Sequence, residues 1–96
     1  MENFHIGMFD EFFEAVLKLK DKSDCRKFFE DVCTIKELQD MTQRLEVATL
    51  LTEGKNYQEV CKKTGASTAT ISRVNKCLNY GSGGYDIVLE KKEGEQ

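Results

Sequence analysis

The chain has 96 residues with a net charge of −3, and 40% of them are hydrophobic while 32% are charged. This length fits one compact domain, and the composition excludes an intrinsically disordered chain. No stretch approaches the roughly 20 apolar residues that a membrane-spanning helix needs, and the N-terminus lacks the basic start of a signal peptide. We therefore expect a single cytoplasmic domain over residues 1–96, with no membrane partner.

Apolar residues at helical spacing predict a first helix over about residues 8–20. A second helix is predicted to begin near Ser23 or Asp24, both good N-cap residues, and to end at about Val32. The phenylalanine pairs Phe12–Phe13 and Phe28–Phe29 make broad apolar faces. These faces favour a dimer interface about as well as an ordinary core, and we interpret about residues 8–33 as N-terminal dimerisation helices.

A long central helix is predicted over about residues 34–54. Thr34 and Glu37 form a T-x-x-E capping box at its start, and Gly54 lies just past its end, where glycine is preferred. The residues predicted to form its buried stripe are Ile35, Leu38, Met41, Leu45, Val47, Ala48, Leu50 and Leu51.

Residues 56–79 predict a helix-turn-helix. Asn56 and Glu59 form an N-x-x-E start signal, a short helix follows to Lys63, and Ser67 caps a second helix to about Asn79. We expect Gly65 to adopt a left-handed backbone where a Cβ would clash, and Cys61 to lie on the inner face. The apolar residues predicted to seal the helix crossing are Val60, Ala66, Ile71 and Val74.

After a turn at residues 80–84, a last helix is predicted over about residues 85–91, and the charged tail over residues 91–96 is expected to fray. These elements together predict an all-α fold of about six helices.

The charge is concentrated in the predicted helix-turn-helix. Between Gly54 and Tyr80 five basic residues stand against one acid, so this segment carries +4, which leaves −7 for the rest of the chain. A basic segment on an acidic body is typical of a protein that presents one face to phosphates, although a solvated helix surface gives the same pattern.

The second helix of this motif would enter the major groove of DNA by its N-terminal turns. The residues then predicted to lie near DNA are Ser67, Thr68, Ala69, Thr70, Ser72 and Arg73, with Lys62, Lys63 and Lys76 on phosphates. Alternatively, the hydroxyl side chains only cap the helix or face solvent. We favour DNA for Thr68 to Ser72, because such a run is a poor choice for helix stability alone.

The sequence gives little support for a metal site, a redox role or catalysis. The cysteines Cys25, Cys33, Cys61 and Cys77 follow no zinc-binding spacing, and the single histidine is His5, so we predict no metal site. We expect the cysteines to be mostly buried packing residues, with a redox role as the less favoured alternative. No nucleophile–base pair or glycine-rich phosphate loop is present in the sequence, and an enzyme is not predicted.

The stretch from Thr34 to Leu78 resembles the Trp repressor superfamily, and the segment TGASTATISRVNKCLNYG, residues 64–81, is most similar to the YerC/YecD branch. The residues that carry the resemblance are Gly65-Ala66, Ala69-Thr70-Ile71, Arg73, and Gln43-Arg44-Leu45 through Leu50-Leu51. The resemblance implies an intertwined, all-helical homodimer that reads successive major grooves of a near-palindromic site. Between Gly54 and Gly65 the chain is one residue shorter than the classical repressor.

The resemblance also allows a comparison with the tryptophan-binding pocket of the classical repressor. Arg44 and Arg73 match the arginines that sandwich the indole, and Thr34 matches a threonine of that pocket. Val74 stands in place of a glycine beside the ring, and Cys77 in place of a serine that holds the amino group. Because valine fills space that the ring needs and a thiol is a weak acceptor, we expect no dependence on tryptophan. Arg44 and Arg73 would then serve ion pairs and phosphate contacts, or a different anionic effector.

The sequence thus predicts a sequence-specific transcriptional regulator that binds double-stranded DNA as a homodimer and acts as a repressor. The alternative is a protein-interaction module that retains the helical dimer without tight DNA binding. The two hypotheses differ in salt response, since binding to phosphates weakens steeply with salt.

Overall fold

The computed structural model describes residues 6–89, and over this range the chain is helical with no strand. A short 3-10 helix, Ile6–Phe9, precedes six α-helices. They are α1 (Asp10–Val16), α2 (Lys22–Val32), α3 (Ile35–Thr52), α4 (Tyr57–Thr64), α5 (Thr68–Tyr80) and α6 (Gly84–Leu89). The predicted all-α fold is confirmed.

None of the helices within residues 6–89 combines the length and the apolar character needed to cross a membrane. The chain divides into two compact units, Met1–Leu38 and Gln39–Gln96. The single domain expected over residues 1–96 stays a prediction.

In the first unit, both helices depart from their predicted bounds. α1 ends at Val16, because the amides of Lys18 and Leu19 bond to carbonyls only three residues back, at 3.1 and 3.0 Å. The N-cap of α2 is Asp21, whose side chain accepts a hydrogen bond from the Asp24 amide at 2.9 Å. Asp24 itself accepts from the Lys20 amide at 3.0 Å, so the prediction of Ser23 or Asp24 as the cap is wrong.

Aromatic rings join α1 to α2. The ring of Phe12 lies 5.9 Å from that of Phe28 and 6.5 Å from that of Phe29, within the range of favourable ring contacts. Neither helix contains a buried residue, and Phe12 and Phe13 are both exposed. The rings thus pack together while one side of the cluster faces solvent.

The predicted capping box opens α3. The Thr34 amide donates to Glu37 Oε1 at 2.8 Å, and the Glu37 amide donates to Thr34 Oγ1 at 3.1 Å. Beyond the C-terminal end of α3, the amides of Gly54 and Lys55 bond to the carbonyls of Leu51 and Leu50. The predicted bounds of this helix therefore hold to within two residues.

The core of the second unit lies where α3, α4 and α5 meet. Its buried residues are Val47, Ala48, Val60, Ala66, Ile71 and Val74, with Leu50, Leu51, Leu78, Tyr85 and Leu89 packed partly against them. The stripe predicted for α3 is therefore only partly buried in the single chain. Ile35, Met41 and Leu45 are exposed, and for them the prediction is wrong.

The cysteines are free, and three of them are exposed while Cys33 is half-buried, so the prediction of mostly buried thiols is wrong. α6 begins one residue before its predicted start. Residues 90 and 91 of the predicted last helix, the tail predicted to fray and His5 lie outside the described residues.

Candidate nucleic-acid interface

The first helix of the predicted helix-turn-helix has a complete capping box. The Asn56 amide donates to Glu59 Oε1 at 3.1 Å, and the Glu59 amide donates to Asn56 Oδ1 at 2.9 Å. The helix that follows, α4, ends one residue later than predicted, at Thr64. The side chain of Glu59, which is the one acid between Gly54 and Tyr80, is thereby turned to the N-terminus of its own helix.

The turn depends on the backbone conformation of Gly65. Its φ is 76°, and its amide donates to the Cys61 carbonyl at 2.8 Å, so the predicted left-handed conformation is confirmed. Beyond the adjacent residues, a Cβ at this position would meet no atom within 4 Å, so the clash that disfavours a side chain here is the local one with its own backbone. Glycine is favoured here because other residues are strained at positive φ.

Side chains also form hydrogen bonds to backbone groups of the turn. The Thr64 hydroxyl donates to the Val60 carbonyl at 2.8 Å and accepts from the Ala66 amide at 3.1 Å. The Gln43 Nε2 atom of α3 donates to the Thr64 carbonyl at 3.1 Å. Gln43 was predicted only as part of the family resemblance, and because it stands among many other polar residues of α3, no local pattern indicated this contact.

Replacing Gln43 by alanine is expected to lower the free energy of unfolding by roughly 1 kcal/mol and to weaken DNA binding, because the Thr64 carbonyl loses its donor. Gln43→Glu should have a similar effect, since a carboxylate cannot donate. Urea denaturation and DNA titration of the same preparations measure both quantities. Gln39→Ala, at an exposed position one turn earlier on α3, is the matched control. Equal effects of Gln39→Ala and Gln43→Ala would contradict the anchoring role.

The crossing of α4 and α5 is sealed as predicted. Val60, Ile71 and Val74 have no exposed surface, and Ala66 is almost completely buried. Cys61 is exposed, so its predicted place on the inner face is wrong. It follows Val60 directly, and successive side chains on an α-helix are about 100° apart, so both cannot face the core. The Cys61 carbonyl, rather than its thiol, takes part in the turn.

Ser67 caps α5 as predicted. Its Oγ accepts from the Thr70 amide at 3.1 Å, and the two hydroxyls lie 3.2 Å apart in a further hydrogen bond, in which Ser67 donates. Thr70 is half-buried. The serine hydroxyl and the Thr70 side chain are thus already engaged within the first turn.

The remaining predicted DNA contacts share the outer face of α5. They lie at helical spacing and are all exposed: Thr68, Ala69, Ser72, Arg73 and Lys76. Lys62 and Lys63 are exposed in the last turn of α4. Among residues 6–89, none of these four basic side chains has a hydrogen bond or ion pair. The helix-turn-helix therefore presents unneutralised positive charge.

The residues of the predicted effector pocket have different surroundings. Val74 is fully buried in the core of the second unit, whereas Arg44 is half-buried on α3 and Arg73 is exposed on α5. Thr34 belongs to the first unit, where its side chain takes part in the capping box of α3. Within the described part of the chain, neither Arg44 nor Arg73 forms the ion pair that was one explanation for them.

Cys77 lines an open groove of about 470 Å³. The groove is formed by Leu45, Cys77, Gly81, Ser82, Gly83, Gly84, Tyr85 and Val88, so Arg44, Arg73 and Val74 do not line it. A Cβ at Gly81 would collide with the Cys77 carbonyl oxygen, which explains the glycine where the turn leaves α5.

An all-helical chain whose α4 and α5 form a capped helix-turn-helix with a basic outer face belongs to the class of helix-turn-helix DNA-binding proteins. The model of one such family, described as Trp repressor protein, matches residues 8–93. The chain belongs to the Trp repressor family, and the resemblance noted from its residues is confirmed.

Relatives from several bacteria support this assignment. Uncharacterized protein YerC of Bacillus subtilis (strain 168) is 53% identical over 87 residues, which cover 90% of this chain and 84% of YerC. The crystal structure of a TrpR-like protein from Eubacterium eligens ATCC 27750 has a TM-score of 0.86 at 50% identity, covering 94% of this chain and 93% of that one. A candidate Trp repressor from Staphylococcus aureus has a TM-score of 0.85 at 40% identity, covering 93% and 89%.

The family is one of helical DNA-binding regulators of transcription rather than of enzymes, in agreement with the sequence prediction. The individual DNA contacts are not tested by these relatives and stay predictions.

Proposed function

We propose that this protein is a sequence-specific transcriptional repressor that binds double-stranded DNA in the cytoplasm as a homodimer, without tryptophan. The observation that carries the proposal is the outer face of α5. Its exposed residues Thr68, Ala69, Ser72 and Arg73 have no hydrogen-bonding or ionic partner among residues 6–89, while a fully buried crossing holds the helix in place. A recognition helix needs this combination of a fixed backbone and an uncommitted outer face.

The charge distribution supports an orientation in which the outer face of α5 lies against the DNA. Lys62 and Lys63 at the end of α4 and Lys76 on α5 lie on the exposed side of the motif. Lysines at such positions contact phosphates, which fix the register of the protein on the duplex without reading sequence. The acidic remainder of the chain disfavours other orientations, since it repels the same phosphates.

Exposed apolar surface supports the homodimer. In the single chain Leu17 is 83% exposed, Ile87 78% and Val88 62%, although all three are large hydrophobic residues. Soluble monomers rarely leave so many apolar side chains in water, and a second copy would cover them. A two-fold dimer also places two recognition helices on successive major grooves, which suits a near-palindromic site.

Independence from tryptophan is supported by Val74. Its side chain is fully buried and is part of the core that joins α3, α4 and α5, so it fills the space between these helices. Cys77 offers only a thiol where an ammonium group would need a strong acceptor. Arg73 then contacts DNA, and an anionic effector other than tryptophan is the second explanation for Arg44 and Arg73.

The experiment that tests the proposal is selection of binding sites from random duplex DNA, with and without tryptophan. Recovery of the same near-palindromic motif in both arms supports a dimeric regulator that does not need tryptophan. A motif recovered only with tryptophan overturns the interpretation of Val74 and Cys77. No enrichment in either arm counts against specific DNA binding by the protein alone.

Arg73→Ala and Thr70→Ala should each weaken binding to the selected site and leave the homodimer intact. Loss of the exposed guanidinium is expected to cost about 1–3 kcal/mol of binding free energy if it contacts a base, and less if it contacts a phosphate. Loss of the Thr70 hydroxyl removes its bond with Ser67 and loosens the first turn of α5. Fluorescence anisotropy measures the affinities, and light scattering measures the dimer.

Arg26→Ala, at an exposed arginine on α2, is the matched control and should leave DNA affinity unchanged. Unchanged affinity for both Arg73→Ala and Thr70→Ala would refute the assignment of α5 as the recognition helix.

A further inference from the structure

We infer that the N-terminal turns of α5 recognise thymine through the 5-methyl group, with Ala69 and Thr68 as the residues that determine this specificity. The inference rests on the proposed DNA-binding function and adds the chemical identity of the bases that the helix faces. It follows from which side chains at the start of α5 are exposed and which of their polar groups are already engaged.

Hydrogen-bonding capacity at the start of α5 is largely used within the protein. Ser67 Oγ accepts from the Thr70 amide and donates to Thr70 Oγ1. Thr70 is half-buried, and the next residue, Ile71, is fully buried. The side chains in the first turn that face outward without a partner among residues 6–89 are therefore Thr68 and Ala69.

Both outward residues present a methyl group, and neither can form a bidentate hydrogen bond to a base. Ala69 has only its Cβ methyl, and Thr68 carries a methyl beside its single hydroxyl. Bidentate readout of guanine or adenine needs the longer side chains of arginine, lysine, asparagine or glutamine. On α5 such side chains occur only later, at the exposed Arg73, Lys76 and Asn79 and the half-buried Asn75.

Short side chains also determine how closely the helix approaches the base edges. With only Thr68, Ala69 and Ser72 between the backbone and the groove, the helix can lie deep enough for methyl groups to touch the bases. The major groove displays one apolar group, the C5 methyl of thymine, and alanine or the threonine methyl is its usual protein contact. The start of α5 therefore matches thymine better than any other base.

Deoxyuridine substitution tests this inference, because uracil keeps the hydrogen-bonding groups of thymine and lacks only the methyl. Each thymine of the selected site is replaced singly, and affinity for the full-length protein is measured. We expect one or two positions in each half-site where the loss of a methyl weakens binding about fourfold, the value for one buried methylene-sized group. Other thymine positions should show no change.

Two protein variants assign the effect to residues. Thr68→Ser removes the methyl and keeps the hydroxyl, and Ala69→Gly removes the only side-chain carbon. At the thymine that the substituted residue contacts, each variant should bind the thymine duplex and the uracil duplex with the same affinity. Lys63→Ala is the control: it should weaken binding to both duplexes by the same factor and leave the fourfold ratio intact. Because glycine also weakens the helix, Thr68→Ser gives an assignment that does not depend on Ala69→Gly.

The outcomes separate the inference from the proposed function. If the protein binds its site specifically and no uracil substitution weakens that binding, the inference is overturned and the proposed function is unaffected. A uracil effect that persists unchanged in both Thr68→Ser and Ala69→Gly also overturns it, because other residues would then contact the methyl. Failure to bind any selected duplex contradicts the proposed function itself.

Discussion

Raising the salt concentration from about 50 to about 200 mM is expected to weaken binding of the protein to its DNA site about 1000-fold. The expectation follows from Lys62, Lys63 and Lys76, which are exposed and have no ionic partner among the described residues. In the proposed homodimer each lysine occurs twice, and each phosphate contact releases condensed counterions when it forms. Anisotropy titrations at several salt concentrations give the slope of log affinity against log salt.

Substitution of single lysines shows which of them contribute to that slope. Lys63→Ala should reduce its magnitude by about one for each helix-turn-helix, or about two for the homodimer. Lys27→Ala, at an exposed lysine on α2, should leave the slope unchanged. An affinity that hardly responds to salt would contradict the DNA-binding interpretation and favour the alternative of a protein-interaction module.

Ile71→Ala is expected to lower the free energy of unfolding by about 2–4 kcal/mol and to weaken DNA binding, because the crossing that holds α5 is loosened. Ile71 has no exposed surface and is the largest of the fully buried side chains described for this chain. Its removal leaves a cavity between α4 and α5 that the small neighbours Ala66 and Val74 cannot fill. Urea denaturation at a fixed protein concentration measures the change.

Ser72→Ala is the matched control for Ile71→Ala, since it follows directly on α5 and is exposed. It should change the free energy of unfolding by less than about 0.5 kcal/mol. Comparable losses in the two variants would mean that the crossing of α4 and α5 is not the source of stability inferred from its burial.

Local sequence signals predicted the starts of three helices correctly. The pairs Thr34–Glu37 and Asn56–Glu59 form the expected reciprocal hydrogen bonds, and Ser67 caps α5. A capping box needs only residues three positions apart, so the chain carries the whole signal itself. The positive φ of Gly65 was predictable for the same reason, since it depends on where α4 must stop.

Predictions failed where two nearby signals compete. Asp21 and Asp24 are three residues apart, and either could cap α2. The structure uses Asp21 as the cap, while Asp24 accepts from the Lys20 amide, and this D-x-x-D pattern was the available signal. The prediction that Cys61 lies on the inner face was wrong for a similar reason. On a helix as short as α4 the apolar phase rests on few residues, and Val60 takes the inward position.

The sequence predicted which residues form the candidate interface, but not which of their polar groups are already hydrogen-bonded within the protein. Helical spacing alone places Thr68, Ala69 and Arg73 on one face. It does not show that the Thr70 hydroxyl bonds to Ser67, or that Gln43 reaches the Thr64 carbonyl from 21 residues away. Such contacts depend on how α3 packs against the turn, which is a property of the tertiary structure rather than of any local pattern.

The composition of the core has a consequence for the entropy of DNA binding. Its four largest fully buried side chains, Ile71, Val47, Val60 and Val74, are all β-branched, and β-branched side chains have one strongly preferred χ1 rotamer in a helix. The crossing that holds α5 is therefore conformationally ordered before DNA arrives. The rotamer freedom lost on binding then comes mainly from the exposed lysines and arginine, at up to about 2 kcal/mol for each side chain that becomes fixed.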